Sequence, residues 1–231
     1  MIRVERAPKP AVIEQNQAAW TLALPNAATK KDKTRAEMKY RHPAIKSALV
    51  LMFHGKCAYC ESKISHIDYG HIEHFRPKSK PEFRSLAFEW GNLLLSCAVC
   101  NGSEHKGAYF PEAADGGPLV NPCEDFPEAH FEFFFDPQAR LATVIGTTAR
   151  GKTTETLLGL NRKDLRAYRS RLVMQLCVLS RCAKNDPDAE LLLEEACRDD
   201  AEYAAFARAL VAGHVCEQEI SNRPSCLLLK R

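Results

Sequence analysis

Two pairs of cysteines in this chain have the spacing of a metal-binding turn. Cys57 and Cys60 enclose Ala-Tyr, and Cys97 and Cys100 enclose Ala-Val. A two-residue spacer lets both thiolates turn toward one ion, and two such turns supply the tetrahedral ligand set that zinc favours. The 36 residues between Cys60 and Cys97 are more than a plain zinc ribbon has, so the zinc would close the base of an inserted substructure. A redox role for the pairs is the alternative.

A second group of reactive side chains lies between these pairs, in the stretch GHIEHFRPKS at residues 70–79. His74 has a side chain suited to act as a general base near neutral pH. Glu73 is a hard oxygen ligand for Mg²⁺ or a related divalent cation. Adjacent residues on a strand face opposite ways, so we expect the pair to sit where a strand ends, and Pro77 supplies such an end. His71 shares the strand face of Glu73 and is an auxiliary ligand candidate.

Two asparagines and a third histidine extend this candidate group. Asn92 follows Trp-Gly, Asn101 directly follows Cys100, and His105 comes four residues later. On a helix, Asn101 and His105 would share a face, so either could reach a cation, and we favour Asn101. Taken singly, Asn92 could be a turn residue and Asn101 a helix cap. Their order within the cysteine framework is what indicates a site.

Five motifs carry a resemblance to a known family. They are KCAYCE at 56–61, IEHFRPKS at 72–79, WGNLLLSCAVCN at 90–101, FP at 110–111 and LLGLNRKDL at 157–165. In this order they resemble the HNH nucleases, and more closely the HNH endonucleases of the Septu and retron-associated anti-phage systems, the PtuB type. One departure is that four residues separate Asn101 from Lys106, where the family usually has two.

The resemblance implies a ββα-metal core and a role for each matching residue. Phosphodiester hydrolysis needs an activated water and a Lewis acid on the phosphate oxygens. By resemblance, His74 is the base, Asn92 orients it, and Glu73 and Asn101 hold a catalytic Mg²⁺ or Mn²⁺, with a structural Zn²⁺ on the cysteines. The resemblance also implies DNA as substrate and a separate ATPase of the PtuA type as partner in an oligomeric complex.

Basic residues near this group are candidates for contact with DNA phosphates. Arg76 and Lys78 directly follow the His-Glu stretch, and Lys106 follows Asn101. Arg162, Arg166 and Arg169 recur on one face of a predicted helix. A basic surface of this kind predicts weak, salt-dependent binding to nucleic acid, or binding to an acidic partner. An ordinary solvated helix face is the alternative.

Residues 146–153, GTTARGKT, fit the pattern of a phosphate-binding loop and follow a strand-like run, LATVI. A nucleotide-binding domain of that class also needs further parallel strands and a second acidic metal ligand. The sequence after Thr154 has the pattern of helices and shows no run of buried strands. We therefore predict that this stretch does not bind nucleotide.

The elements that must position these residues form an α+β frame. Residues 1–56 predict helices, one of them from Pro43 to a stop at Gly55. Residues 57–112 predict a small HNH nuclease core with the zinc staple. Residues 113–231 predict a connector with two strands, HFEFFF and LATVI, and then helices. The stripe of Leu165, Tyr168, Leu172, Leu176 and Leu179 predicts the buried face of one helix. The three regions are expected to form one compact unit.

Composition excludes some classes of protein. With 45% hydrophobic and 26% charged residues, the chain predicts an ordinary globular protein, with no run long enough for a membrane span. The start MIRVERAPKP has no apolar core of a secretory signal, which predicts a cytoplasmic protein. In that compartment, ten cysteines are expected as thiols or metal ligands.

These observations together predict a metal-dependent HNH endonuclease that cuts DNA in anti-phage defence. The alternative is a zinc-stapled module that binds nucleic acid or a protein partner without catalysis. A phosphate-loop ATPase ranks third. An intact pair of Glu73 and His74 favours the first of these, and cleavage that depends on a divalent cation would separate it from the second.

Overall fold

The computed structural model describes residues 1–24 and 29–213. Three helices form the N-terminal region: α1 (Ala11–Ala23), α2 (Lys30–Glu37) and α3 (Pro43–Met52). Proline at the first helical position starts α3, and His42 accepts a hydrogen bond from the backbone N–H of Ala44 there. After α3 the chain reverses at Gly55, whose positive φ of 67° suits glycine. The predicted helix and its stop are confirmed.

A short antiparallel hairpin and a one-turn helix form the centre of the molecule. Strand β1 (His71–His74) pairs with β2 (Leu93–Ser96), with Glu73 opposite Leu94 and His74 opposite Leu93. Helix α4 (Ala98–Asn101) follows β2 directly. All four residues of β2 are buried, so this strand lies within the protein while β1 runs from an exposed to a buried end. The arrangement confirms the predicted α+β fold with two strands and a helix at its core.

A second hairpin and four helices form the C-terminal region as far as residue 213, where the described part of the chain ends. Strand β3 (Phe131–Asp136) pairs antiparallel with β4 (Leu141–Gly146), which confirms the two predicted strands. The helices are α5 (Ala149–Leu157), α6 (Lys163–Cys182), α7 (Pro187–Ala196) and α8 (Ala204–Val211). Helix α6 packs on β4, α7 and α8. Short 3₁₀ turns cover Met38–Arg41, Pro81–Phe88, Trp90–Asn92, Ala113–Asp115 and Pro127–Ala129.

The main hydrophobic core draws on all three regions. It includes Ile45 and Leu49 from α3, Leu93 and Leu95 from β2, and Val173 from α6. Shared burial of this kind ties the central hairpin to the helices on either side. The boundaries proposed from the sequence at residues 56 and 112 stay a prediction.

The buried face of α6 differs from the predicted stripe. Tyr168 is exposed, and the buried positions are Leu165, Arg169, Ser170, Val173 and Cys177. Arg169, a basic residue, therefore lies on the inner face of α6. A pattern of apolar residues in the sequence cannot predict a buried arginine. The polar atoms of β4 and of the turn before α6 face this helix and bond to Arg169 and Ser170.

No helix in residues 1–24 and 29–213 combines the length and the apolar character that a membrane crossing requires.

Candidate active site

The four predicted cysteines meet at one point. The sulfur atoms of Cys57, Cys60, Cys97 and Cys100 all lie within 4.8 Å of one another. A tetrahedral zinc with Zn–S bonds of about 2.3 Å would place its sulfurs roughly 3.8 Å apart, so this donor set fits a zinc ion. Among the described residues this is the one group of three or more His, Cys, Asp or Glu side chains whose ligand atoms lie close enough together to hold a metal ion.

Protonation within the cluster also fits a bound cation. Burial raises the pKa of the Cys57 thiol, whereas hydrogen bonds from Cys100, Cys57 and Cys97 lower the pKa of Cys60. Four thiolates cannot persist together in a dry site without a cation to neutralise them. A bound Zn²⁺ would supply that charge, and the cluster would then hold the base of β1 and β2 together.

Arg162 lies beside this cluster, and its predicted role as a DNA contact stays a prediction. Its guanidinium donates to Cys100 Sγ at 3.5 Å and to the backbone carbonyl of Leu158 at 3.2 Å. Burial alone would lower the pKa of Arg162, but the charge of Cys100 and Cys60 raises it above its ordinary value. The side chain is directed at the thiolates because it compensates their negative charge.

Arg169 is buried and cannot contact DNA in this structure, which corrects one member of the predicted basic stripe. It is only 1% exposed. Its guanidinium donates to the carbonyl oxygens of Leu160 and Ala142 and to Asn161 Oδ1, each at 2.8–2.9 Å. It thus joins α6 to β4 and to the turn before α6. Arg166 is half-buried, so the three arginines do not form an exposed stripe.

The strand β1 divides the predicted catalytic residues between an exposed end and a buried end. His71 is exposed and lies against Asn101, with the side-chain amide nitrogen of Asn101 3.2 Å from His71 Nδ1. Carbonyl and amide ends of an asparagine side chain are exchangeable in such a contact, so two ligand atoms face each other here. The sequence treated His71 as an auxiliary ligand, and the structure places it beside the favoured ligand Asn101.

Glu73 lies at the buried end of β1 and forms an ion pair with Lys106. It is 3% exposed, and its Oε1 is 2.5 Å from Lys106 Nζ. The hydroxyl of Tyr59 lies 3.5 Å from the same oxygen. Burial raises the pKa of Glu73, and the charge of Lys106 opposes that rise. Glu73 as a metal ligand stays a prediction from the sequence, and in this structure its charge is balanced by Lys106.

Lys106 is likewise not a DNA contact, which corrects another prediction. It is 0% exposed, and its ammonium also donates to the backbone carbonyl of His74 at 2.9 Å. The four residues that separate it from Asn101 form a turn that carries it back over the hairpin. Both hydrogen bonds therefore act on β1 instead of reaching solvent.

His74 is held as a neutral imidazole with one nitrogen engaged. Its Nε2 lies 3.0 Å from the carbonyl oxygen of Ala87, and because that oxygen only accepts, Nε2 carries the proton. Burial lowers the pKa of His74 to about 4, and the charges of Lys78 and Lys106 act in the same direction. The ring also meets the edge of Tyr40 at 4.6 Å. Nδ1 keeps its lone pair, as a general base requires.

Asn92 fixes two backbone segments that follow His74 in the chain. Its Oδ1 accepts from the N–H of Arg76 at 2.7 Å, and its Nδ2 donates to the carbonyls of Arg76 and Leu86. One side chain thus ties the end of β1 to the 3₁₀ turn that carries Ala87. This geometry supports the role in orienting the base that the sequence assigned to Asn92.

Asn101 and His105 were alternative metal ligands on one predicted helix, and that helix ends earlier than predicted. Helix α4 stops at Asn101, so the two residues do not share a helical face. His105 instead packs on Gly159, where an added Cβ would collide with the imidazole. Only Asn101 of the two points toward β1, at His71.

Two of the basic residues predicted to contact DNA, Lys78 and Arg76, lie beside the site. Lys78 Nζ lies 5.5 Å from the ring centroid of Tyr40, the residue that also meets His74. The Arg76 guanidinium lies 5.8 Å from the ring of Phe110. Both side chains are partly exposed, so they can border a phosphate path to His74.

The GTTARGKT stretch does not form a phosphate-binding loop. Strand β4 ends at Gly146 and α5 begins at Ala149, so Gly151 lies inside the helix. The N–H of Gly151 bonds to Thr148 Oγ1, and the N–H of Gly146 bonds to Glu155 Oε2 at 2.8 Å. These amides are already satisfied and cannot cradle a phosphate.

Two residues of the site were missed in the sequence. Tyr59 lies between the first two cysteines and reaches Glu73, so its place inside the motif was a usable signal. Tyr40 meets His74 from the turn before α3, more than 30 residues away along the chain. Nothing in the local sequence connects the two.

Comparisons with known proteins agree with this site. Residues 57–107 match the family model described as HNH endonuclease. The chain is similar to the Septu protein PtuB of Bacillus mycoides strain KBAB4, at 32% identity over 205 residues, covering 76% of this chain and 68% of that protein. A Septu protein PtuB of Bacillus thuringiensis is 36% identical over 132 residues, which is 57% of this chain and 46% of the relative.

A third similarity is to a protein with another name. The Septu protein PtuA of Bacillus mycoides strain KBAB4 is 26% identical over 155 residues, covering 55% of this chain and 21% of that protein. This chain therefore matches about a fifth of that relative. The match is one of sequence and does not report whether the two proteins bind each other.

Proposed function

Because this chain belongs to the Septu PtuB family and carries an HNH endonuclease domain, we propose that it hydrolyses DNA phosphodiester bonds in defence against phage. The observation that carries the chemistry is the state of His74. Its Nε2–H is held by the Ala87 carbonyl and its pKa is lowered to about 4, so Nδ1 is a neutral, oriented base at physiological pH.

A divalent cation, Mg²⁺ or Mn²⁺, would bind at the exposed end of β1. Asn101 and His71 offer an oxygen and a nitrogen ligand there, and a bound cation would polarise the phosphate oxygens. His74 takes the proton of the attacking water, and Asn92 keeps the loop that holds His74 in place. Arg76 and Lys78 neutralise flanking phosphates.

The ATPase partner, the cytoplasmic location and an oligomeric complex belong to the same proposal. Their support is that the chain is related to proteins named PtuB and to one named PtuA. Association with a retron stays a prediction from the sequence motifs. Co-purification with a PtuA-type ATPase tests the partnership directly.

The experiment for the activity is the nicking of supercoiled plasmid. Purified chain is incubated with Mg²⁺ or Mn²⁺, with and without the ATPase, and compared with His74→Ala. We expect nicking that needs a divalent cation and is lost in the variant. Absence of nicking in every combination, with DNA binding retained, would contradict the proposal.

That last result would favour the alternative of a non-catalytic module that binds nucleic acid. One observation supports this alternative: His74 is only 7% exposed and Glu73 only 3%, so little of the pair meets solvent. For catalysis, a substrate must reach His74 Nδ1 from the side on which Lys78 lies. The nicking assay tests whether it does.

A further inference from the structure

We infer that Lys106 and Glu73 form a buried, mutually neutral pair that positions His74, so that Lys106 is a positioning residue of the nuclease and not a contact to DNA. The inference rests on the proposed function, since it assigns a role toward the base of that reaction. It replaces both sequence expectations for the pair, a phosphate contact for Lys106 and a metal ligand in Glu73.

The two charges are isolated from solvent and face each other. Lys106 is 0% exposed, Glu73 is 3% exposed, and Nζ lies 2.5 Å from Oε1. An ammonium in such a position has no route to a phosphate on a DNA backbone. The carboxylate charge balances this buried ammonium, so a metal bound at Glu73 would compete with Lys106 for that charge.

The pair acts on the catalytic histidine through the backbone. The second contact of the Lys106 ammonium is its 2.9 Å hydrogen bond to the carbonyl oxygen of His74. That carbonyl is at the end of β1, where strand pairing with Leu93 is the last of the ladder. Lys106 therefore fixes the peptide that follows His74, while Asn92 fixes the backbone of Arg76 two residues further on.

The same network reaches the four-cysteine cluster. Tyr59, between Cys57 and Cys60, places its hydroxyl 3.5 Å from Glu73 Oε1, and Lys106 N–H bonds to the carbonyl of Cys100. Both members of the pair are thus attached to the turns that carry the sulfur ligands. The cluster holds the pair, and the pair holds His74.

A double-mutant cycle separates positioning from the two rival roles. The variants are Lys106→Met, Glu73→Gln and the two together, because each replacement is uncharged and close in volume. Each is measured by urea unfolding, by DNA affinity against salt concentration without divalent cation, and by kcat and KM for nicking. Lys78→Met serves as the reference for a phosphate contact.

The expected pattern is specific to a positioning pair. Lys106→Met lowers kcat at least tenfold and lowers the urea midpoint, because Glu73 is left buried and unpaired. Adding Glu73→Gln to Lys106→Met restores the midpoint and part of kcat. The slope of log Kd against log salt is unchanged in both, whereas Lys78→Met reduces it by about one.

Three results overturn the inference. One is a slope of log Kd against log salt that falls by about one in Lys106→Met, as it does in Lys78→Met, because such a fall indicates a phosphate contact. Another is a double variant that is no more stable or active than Lys106→Met. The third is a tenfold loss of Mn²⁺ affinity by calorimetry in the double variant, which makes Glu73 a ligand. If wild type does not nick DNA, the proposed function fails, and the unfolding cycle still decides whether the pair is coupled.

Discussion

The four-cysteine cluster and the β1 hairpin lie in the same segment, residues 57–107, but they manage charge in opposite ways. The cluster gathers four like ligands that need a cation, and all four sulfurs converge within 4.8 Å. The hairpin pairs opposite charges, Glu73 with Lys106, and leaves the proposed metal ligands His71 and Asn101 at its exposed end. A closed set of protein ligands is typical of a structural metal site, and an open position is typical of a catalytic one.

The difference shows how function is divided in this segment. Residues that fix geometry are buried and hydrogen-bonded to protein partners, as Lys106 and Asn92 are. Residues that are free to bind an ion or substrate lie at the exposed end of β1. The comparison therefore predicts large effects on folding at the cluster and effects on chemistry or metal affinity at the hairpin.

The largest effect is expected from the cluster. Cys57→Ser or Cys100→Ser should abolish the folded state, because binding of structural zinc contributes roughly 10–16 kcal/mol to folding. Metal analysis of wild type purified without added zinc should give about one zinc per chain, and circular dichroism should report the loss of structure. Cys182→Ser, outside the cluster, is the matched control and should behave as wild type. A soluble, folded variant lacking all four thiols would exclude the structural zinc.

His74→Ala should have the next largest effect, and it should fall on chemistry. Removing a positioned base costs about 10²–10⁴-fold in rate. DNA affinity should be almost unchanged, because a neutral, mostly buried imidazole makes no phosphate contact. Single-turnover nicking together with a binding isotherm measures both. An active His74→Ala would place the base elsewhere.

His71→Ala should have a smaller effect on rate that extra metal restores. Loss of one of the two exposed ligands should weaken Mn²⁺ binding by roughly ten- to a hundredfold, about 1.4–2.8 kcal/mol. Calorimetry measures the affinity directly, and Tyr69→Ala, exposed and two residues earlier, is the control. The sequence made Glu73 a metal ligand and His71 only an auxiliary candidate, whereas the exposed position of His71 leads us to expect a clear loss of metal affinity there. Unchanged affinity in His71→Ala would return His71 to a surface role.

The cysteine cluster was predictable because each pair of ligands is fixed within one tight turn. Spacing alone determined that Cys57 and Cys60 would converge, whatever packs around them. The hairpin was predictable only in part, since alternation along β1 gives the face of Glu73 but not what covers it. Lys106 and Arg169 were assigned to the surface because they are basic, and their burial depends on partners, Glu73 and the carbonyl of Leu160, that no local pattern indicates.

The smallest effect expected is a dependence of stability on pH that belongs to His74 alone. Its folded pKa is about 4 and the ordinary value of histidine is about 6.5, so between these values the unfolded chain binds a proton that the folded protein does not. Stability is therefore fully present above about pH 6.5 and is lost as pH falls toward about 4. From pH 7.5 to 5.5 the expected loss is about 1.4 kcal/mol. Urea unfolding at both pH values should show this loss in wild type and not in His74→Gln, whose other titrating groups are the same. Equal losses in the two proteins would mean that His74 titrates normally, and the oriented neutral base would have to be abandoned.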